Sequence, residues 1–162
     1  MPTRTALLSA LALVVYQSAS ALDIRGVAPG DPWNTTKIQR AFPELQCGEA
    51  ECKVGWLRLG TTKVLMQITS DNSLVQTIHF DIGELDGFER LMQDFSKKFG
   101  KPSGKRITPT QNAYGAHFVD EQYWWFTRKD EVVCHFWWEG FWIGSCELRP
   151  RSKEKPEAPG PI

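Results

Sequence analysis

The sequence predicts an α+β fold, two helices packed on antiparallel sheet, and three observations predict it. Residues 85–99 carry apolar side chains at helical spacing. Several short runs elsewhere are rich in Val, Ile, Thr and aromatic residues. Turn-forming clusters, not helices, separate most of those runs, which favours antiparallel pairing.

The first 21 residues stand apart from this fold. Arg4 supplies a positive start, and residues 6–16 (ALLSALALVVY) form an apolar run of 11. Ala19-Ser20-Ala21 presents small residues where a signal peptidase reads, so 1–21 is expected to be a signal peptide. The run is far shorter than the roughly 20 residues that span a bilayer. No Cys follows the cleavage point to take a lipid. Residues 22–149 are then one domain, and no transmembrane segment is expected after cleavage.

In the order of the chain, Asp31-Pro32 reads as a helix N-cap followed by Pro at the first helical position. Ile38 and Phe42 lie four apart on one face, and Pro43 stops the segment, so a first helix is expected over 32–42. Asn34-Thr35-Thr36 matches a glycosylation sequon, but in a helical segment behind a bacterial-type signal peptide chance explains it better. Residues 54–60 (VGWLRLG), 63–69 and 74–80 read as three strands. In the first, Val54 and Trp56 fall on one face by alternation. Ser70-Asp71-Asn72-Ser73 reads as the turn between the other two.

The second helix is the clearest element. Leu85, Phe88, Leu91, Met92, Phe95 and Phe99 make a one-sided stripe. Glu84 and Asp86 near its start and Lys97 and Lys98 at its end suit the helix dipole. Gly100 and Pro102 stop it. Residues 101–112 read as a polar loop. Strand patterns resume at 113–119, 121–127, 131–138 and 141–149. The tail, 150–162, holds four Pro and no apolar period, so it is expected to be disordered. The order admits a duplicated α-βββ unit, 22–82 and 83–149, although the halves share little direct identity.

Composition excludes some functions. Removing Arg4 leaves 18 basic against 19 acidic residues, a net charge of −1. Nucleic-acid binding rests on a strong positive field, which this chain lacks. All four Cys (Cys47, Cys52, Cys134, Cys146) lie after residue 21, and an even count in an exported chain favours disulfides. Four Cys allow three connectivities. Cys47 and Cys52 flank the loop GEAE, and Cys134 and Cys146 sit symmetrically about Gly140, so Cys47–Cys52 with Cys134–Cys146 is the favoured pairing.

The stretch LDIRGVAPGDPWNTTKIQRAFP, residues 22–43, resembles the opening of small exported bacterial modules of the SmpA/OmlA (BamE-like) type. Gly26 and Gly30 bracket the turn of that pattern, and Ile38 and Phe42 form its helix face. A helix ending KKFGKP before Trp-containing strands is similar to repeats in periplasmic proteins. The β-lactamase inhibitor proteins share a similar duplicated α/β plan. The chain departs from the lipoproteins in lacking a lipidated Cys. The resemblance implies a small exported fold that binds protein partners rather than catalysing a reaction, and it carries over no catalytic residue.

No catalytic set, cofactor motif or metal motif is visible. The three His are His79, His117 and His135. His79 and Asp81 alternate on one strand face, a pattern that more often marks a solvated face than a metal site. His135 falls opposite the Cys face and has no carboxylate partner in the sequence pattern. There is no G-x-S-x-G and no phosphate-binding Gly-rich loop. Glu84, Asp86 and Glu89 are explained by the helix start.

The most unusual stretch is FWWEGFW, residues 136–142. A hairpin about Gly140 puts partners at positions summing to 280: Val132 with Leu148, Cys134 with Cys146, Phe136 with Gly144, Trp138 with Trp142. All share one apolar, core-facing side. A two-residue turn would instead place the two Cys on opposite faces. The other face carries Val133, His135 and Trp137 on one strand and Phe141 on the next. With Trp124 from the 124–126 cluster, the candidate binding patch is Trp124, His135, Trp137 and Phe141. Its aromatic surplus fits a second buried face, a protein-contact patch or a carbohydrate stacking platform. A membrane anchor fits least, because no basic cluster flanks the rings. The expected function is an exported periplasmic, non-catalytic binding or inhibitor-type protein with a protein partner in the cell envelope. The alternative is a carbohydrate- or peptidoglycan-binding or -processing protein, with Asp120 and Glu121 as carboxylates beside Trp124.

Overall fold

The computed structural model of the chain describes residues 22–84, 86–111, 114–115, 117–139 and 142–151. The expected signal peptide, Leu85, Phe141 and the tail from residue 152 lie outside the described residues. Among the described residues the elements run α1 (Thr35–Ala41), β1 (Gln46–Cys47), β2 (Glu51–Leu59), β3 (Thr62–Asp71), β4 (Leu74–Ile82), α2 (Gly87–Phe99), β5 (Gly104–Gln111), β6 (His117–Phe126), β7 (Asp130–Glu139) and β8 (Trp142–Pro150).

The strands form one eight-stranded antiparallel sheet in the order β1-β2-β3-β4-β8-β7-β6-β5. This corrects the α+β expectation of two helices on a sheet. The molecule is sheet-dominated, with helices of only 7 and 13 residues. Three local causes produce the difference. Residues 30–33 are not helical, because Gly30, Asp31 and Trp33 exchange backbone hydrogen bonds with Val75 and Ser73 at the start of β4. The helix therefore starts late, and Asn34 rather than Asp31 caps it, its Oδ1 accepting from Lys37 N at 2.9 Å. Residues 104–111 are a strand rather than a loop, paired residue for residue with β6. Their sequence hid this because β5 is an edge strand with mostly exposed side chains, where Pro109 is tolerated. Finally, β4 pairs with β8, from Ile78–Leu148 to Ile82–Gly144. The two halves thus share a single sheet, and each contributes four strands, not the three of an α-βββ unit.

One face of the sheet bears the core. Val64, Met66, Ile68, Ile78, Phe80, Ile82, Val132 and Leu148 are buried there at alternate positions. The stripe of α2 lies on them. Phe95 meets Phe80 and Trp125 edge-on at 5.8 and 5.7 Å, and Phe88 meets Phe136 at 5.0 Å. Burying each such ring stabilises the fold by about 1.5–3 kcal/mol. Trp125 also donates its indole N–H to Gly100 O at 2.9 Å, which satisfies the one polar atom the core takes in with it. Ile38 of α1 and its C-cap Phe42 join the same cluster, so among the described residues both helices pack on this core.

Both disulfides form as favoured. Cys47–Cys52 ties β1 to β2, and Cys134–Cys146 ties β7 to β8. Cys134 and Cys146 are fully buried in the core face. The hairpin register is 280 at Val132–Leu148, Cys134–Cys146 and Phe136–Gly144, but it shifts by one at Glu139–Trp142. That corrects the expected Trp138–Trp142 pair. An extra residue on β7 after Phe136 accounts for the difference between the Glu139–Trp142 register and the register of the Cys pair. The last strand also reaches Pro150, and Arg151 N donates to Lys129 O at 2.7 Å. The ordered chain thus runs past the expected start of the tail.

Candidate functional site on the helix-free sheet face

The opposite face of the sheet carries the remaining alternate side chains. The register places His79 and Asp81 of β4, Ser145, Glu147 and Arg149 of β8, Glu131, Val133 and His135 of β7, and Gln122 and Trp124 of β6 on it, and the ring contact with His135 puts Trp137 beside them. These side chains are half-exposed, save Glu131, which is 7% exposed under Arg149. Three of the four candidate patch residues, Trp124, His135 and Trp137, therefore meet on one face. Phe141 lies outside the described residues. The His135 and Trp137 rings are 6.1 Å apart, edge to face. Trp124 lies across Gly104 of β5, where any Cβ would strike the indole.

A third tryptophan on this face was hidden in the sequence. Alternation put Trp56 with the core-facing Val54. Instead the β2–β3 register shifts between Val54 and Leu57, and both of those residues face the core. The extra residue turns Trp56 to the other face. There Lys63 lies over the ring at 5.1 Å, and Gly83 lies beneath it. Trp56 is 43% exposed. Gly55 was the available signal, because a glycine inside a strand pattern often marks a bulge. Trp56, Leu57, Arg58, Lys63 and Glu44 line an open cavity of about 400 Å³.

Between the tryptophans runs an ionic chain across three strands. Asp81 Oδ1 is 3.1 Å from His79 Nε2, and Glu147 Oε2 is 3.8 Å from His79 Nδ1. Arg149 donates to Glu147 at 3.1 Å and to Glu131 at 2.6 Å. Glu147 and then Asp81 hold the His79 pKa above its ordinary value, against the effect of burial. The same contact with His79 holds Glu147 low.

His135 is set differently. Arg106 donates to Gln122 Oε1 at 2.7 Å, which fixes the amide. Gln122 Nε2 then lies 3.2 Å from His135 Nδ1, so that nitrogen accepts and the imidazole is neutral. Asp120 Oδ1 is 3.8 Å from the same nitrogen and, though buried, has no hydrogen-bond donor. This supplies the carboxylate neighbour that the sequence pattern did not show. Burial pushes the His135 pKa down. Asp120 opposes that shift, and Arg106 and Arg149 add to it.

Other expectations come apart in three dimensions. Asp120 and Glu121 point to opposite faces, as successive strand residues must. Glu121 instead accepts from Tyr123 Oη at 2.5 Å and pairs with Lys105 at 2.9 Å beside α2. Glu84 and Asp86 both bind Arg90. Among the described residues no group of three or more His, Cys, Asp or Glu is placed to hold a metal ion. No helix among them is long and apolar enough to cross a membrane.

No family model, curated protein or solved structure matches the chain.

Proposed function

We propose that the chain is an exported, non-catalytic binding or inhibitor-type protein that engages a protein partner in the cell envelope through its helix-free sheet face. One observation carries this reading: Trp56, Trp124 and Trp137 all stand on the polar face of the sheet, where none of them contributes to the core. Tryptophan is one of the residues most enriched among those that dominate the binding energy of protein interfaces. Two disulfides among the described residues suit an oxidising compartment, in keeping with the expected signal peptide. The carbohydrate- or peptidoglycan-binding or -processing alternative keeps the half-exposed rings of this face but not its paired carboxylates, because Asp120 and Glu121 lie on opposite faces of β6.

Site-specific photo-crosslinking in the producing cell tests the reading. A photoreactive residue at Thr108, on the helix-free face of β5, should capture a discrete protein. The same residue at Gln93, on α2, should not. Equal capture from both positions, or none from Thr108 and from a second probe at Ser145, would overturn it.

A further inference from the structure

We propose, resting on that reading, that Asp120, His135 and Trp137 form the anchor for a cationic side chain, arginine or lysine, of the protein partner. The argument begins with the proton on His135. Because Arg106 holds the Gln122 amide, Gln122 donates to His135 Nδ1, and that nitrogen has no proton to give Asp120. The Asp120 oxygen nearest it is buried and left without a donor, and the 27% exposure of the side chain lies on its other atoms, the side from which a guest reaches the carboxylate. A carboxylate in that condition gains from an incoming charged donor a charge-assisted hydrogen bond that the fold does not supply.

The surroundings select the sign of the guest. On β4 to β8 this face carries four carboxylates, Asp81, Asp120, Glu131 and Glu147, against two guanidinium groups, Arg106 and Arg149, with a third, Arg151, just beyond β8 over the Phe126 ring. The two guanidinium groups on the strands are occupied, Arg106 with Gln122 and Arg149 with Glu131 and Glu147. The surplus is negative, and Asp120 is the carboxylate left over. Trp137 stands against His135, which itself borders Asp120, so the anchor has an aromatic wall of the kind that favours cations. An anion would meet that surplus charge, and an apolar group would leave Asp120 buried and unpaired.

The test uses the full mature chain, labelled for NMR, and three blocked tripeptides: tri-arginine, tri-glutamate and tri-serine. Tri-arginine should shift the Trp137 indole N–H saturably, and the other two should not. Asp120→Asn should weaken that binding about tenfold, the equivalent of one lost charge-assisted contact. Asp81→Asn removes the same charge elsewhere on the face and should leave the Trp137 response in place. The spectrum of Asp120→Asn, intact away from the anchor, controls for folding. Lowering the pH through the His135 titration should weaken binding as well, because protonated His135 takes Asp120. The groups facing that imidazole are Asp120 from β6, Arg106 from β5, and Glu147 and Arg149 from β8. An unsaturable response, or equal losses in Asp120→Asn and Asp81→Asn, would overturn the anchor. If crosslinking from Thr108 succeeds while these arms fail, the face reading stands and only the anchor falls. If crosslinking fails, the reading beneath both is lost.

Discussion

Trp56 rests on Gly83: a single added methyl at position 83 would run into the indole ring, on the face that no helix covers. The contact adds a steric stop to the Lys63 ammonium that lies over the same ring. Gly83→Ala should therefore destabilise the protein by about 1–3 kcal/mol, the usual cost of overpacking. Gly55→Ala is the control, since a Cβ there meets nothing within 4 Å. Urea unfolding followed by Trp fluorescence separates the two. Equal midpoints would mean that Trp56 moves aside freely.

The tryptophans divide into two kinds, and mutation should separate them. Trp125 is 2% exposed and packs on Phe95. Trp125→Ala should cost about 3–5 kcal/mol. Trp137→Ala should cost under about 1 kcal/mol, the range for surface changes outside the core. It should nonetheless reduce partner capture from Thr108. Comparable stability losses for both variants would show that Trp137 serves the core instead.

The two disulfides should differ in what they contribute. Cys134–Cys146 closes a separation of 12 residues and Cys47–Cys52 one of 5. Loop entropy assigns about 3 and about 2 kcal/mol respectively. Unfolding of the two paired Cys→Ala variants, measured separately, checks the order. The native protein should also show no reactive thiol, because no described Cys is free.

The two face histidines should titrate on opposite sides of their ordinary value. His79 binds its proton more tightly when folded. The stability it contributes is complete below the unfolded pKa, near 6.5, and is lost as pH rises through the folded value. His135 binds its proton less tightly when folded. It favours the folded state above the unfolded pKa, and that benefit is lost as pH falls toward the folded value. NMR titration of the imidazole resonances reads both. Coincident titrations would remove the basis for the distinct charge states argued above. His79→Gln should abolish the loss on the alkaline side of the window.

Much of this molecule was legible along the chain. The helix at Gly87–Phe99 followed from its one-sided stripe and its Gly100 stop. The disulfide pairing followed from spacing, and the core-facing set Val132, Cys134, Cys146 and Leu148 from strand alternation. Less was legible of the site. Period-two reasoning assumes an unbroken strand, and each error arose where one extra residue entered. The bulge at Val54–Leu57 moved Trp56 to the helix-free face, and the shift after Phe136 replaced the Trp138 pair. Strand β5 was missed for another reason: an edge strand with little burial lacks the apolar alternation that marks its neighbours.

Local periodicity and composition thus determined what each segment could become: an amphipathic helix, alternating strands and two disulfide-bonded pairs of cysteines. Only the tertiary structure decided that the two halves share one sheet through β4 and β8, and that Trp56, Trp124 and Trp137 stand on the same side of it. The physical reason is that pairing partners and register shifts are properties of two strands at once. A side chain's face depends on the backbone hydrogen bonds its neighbour accepts, and no single stretch of sequence carries that information.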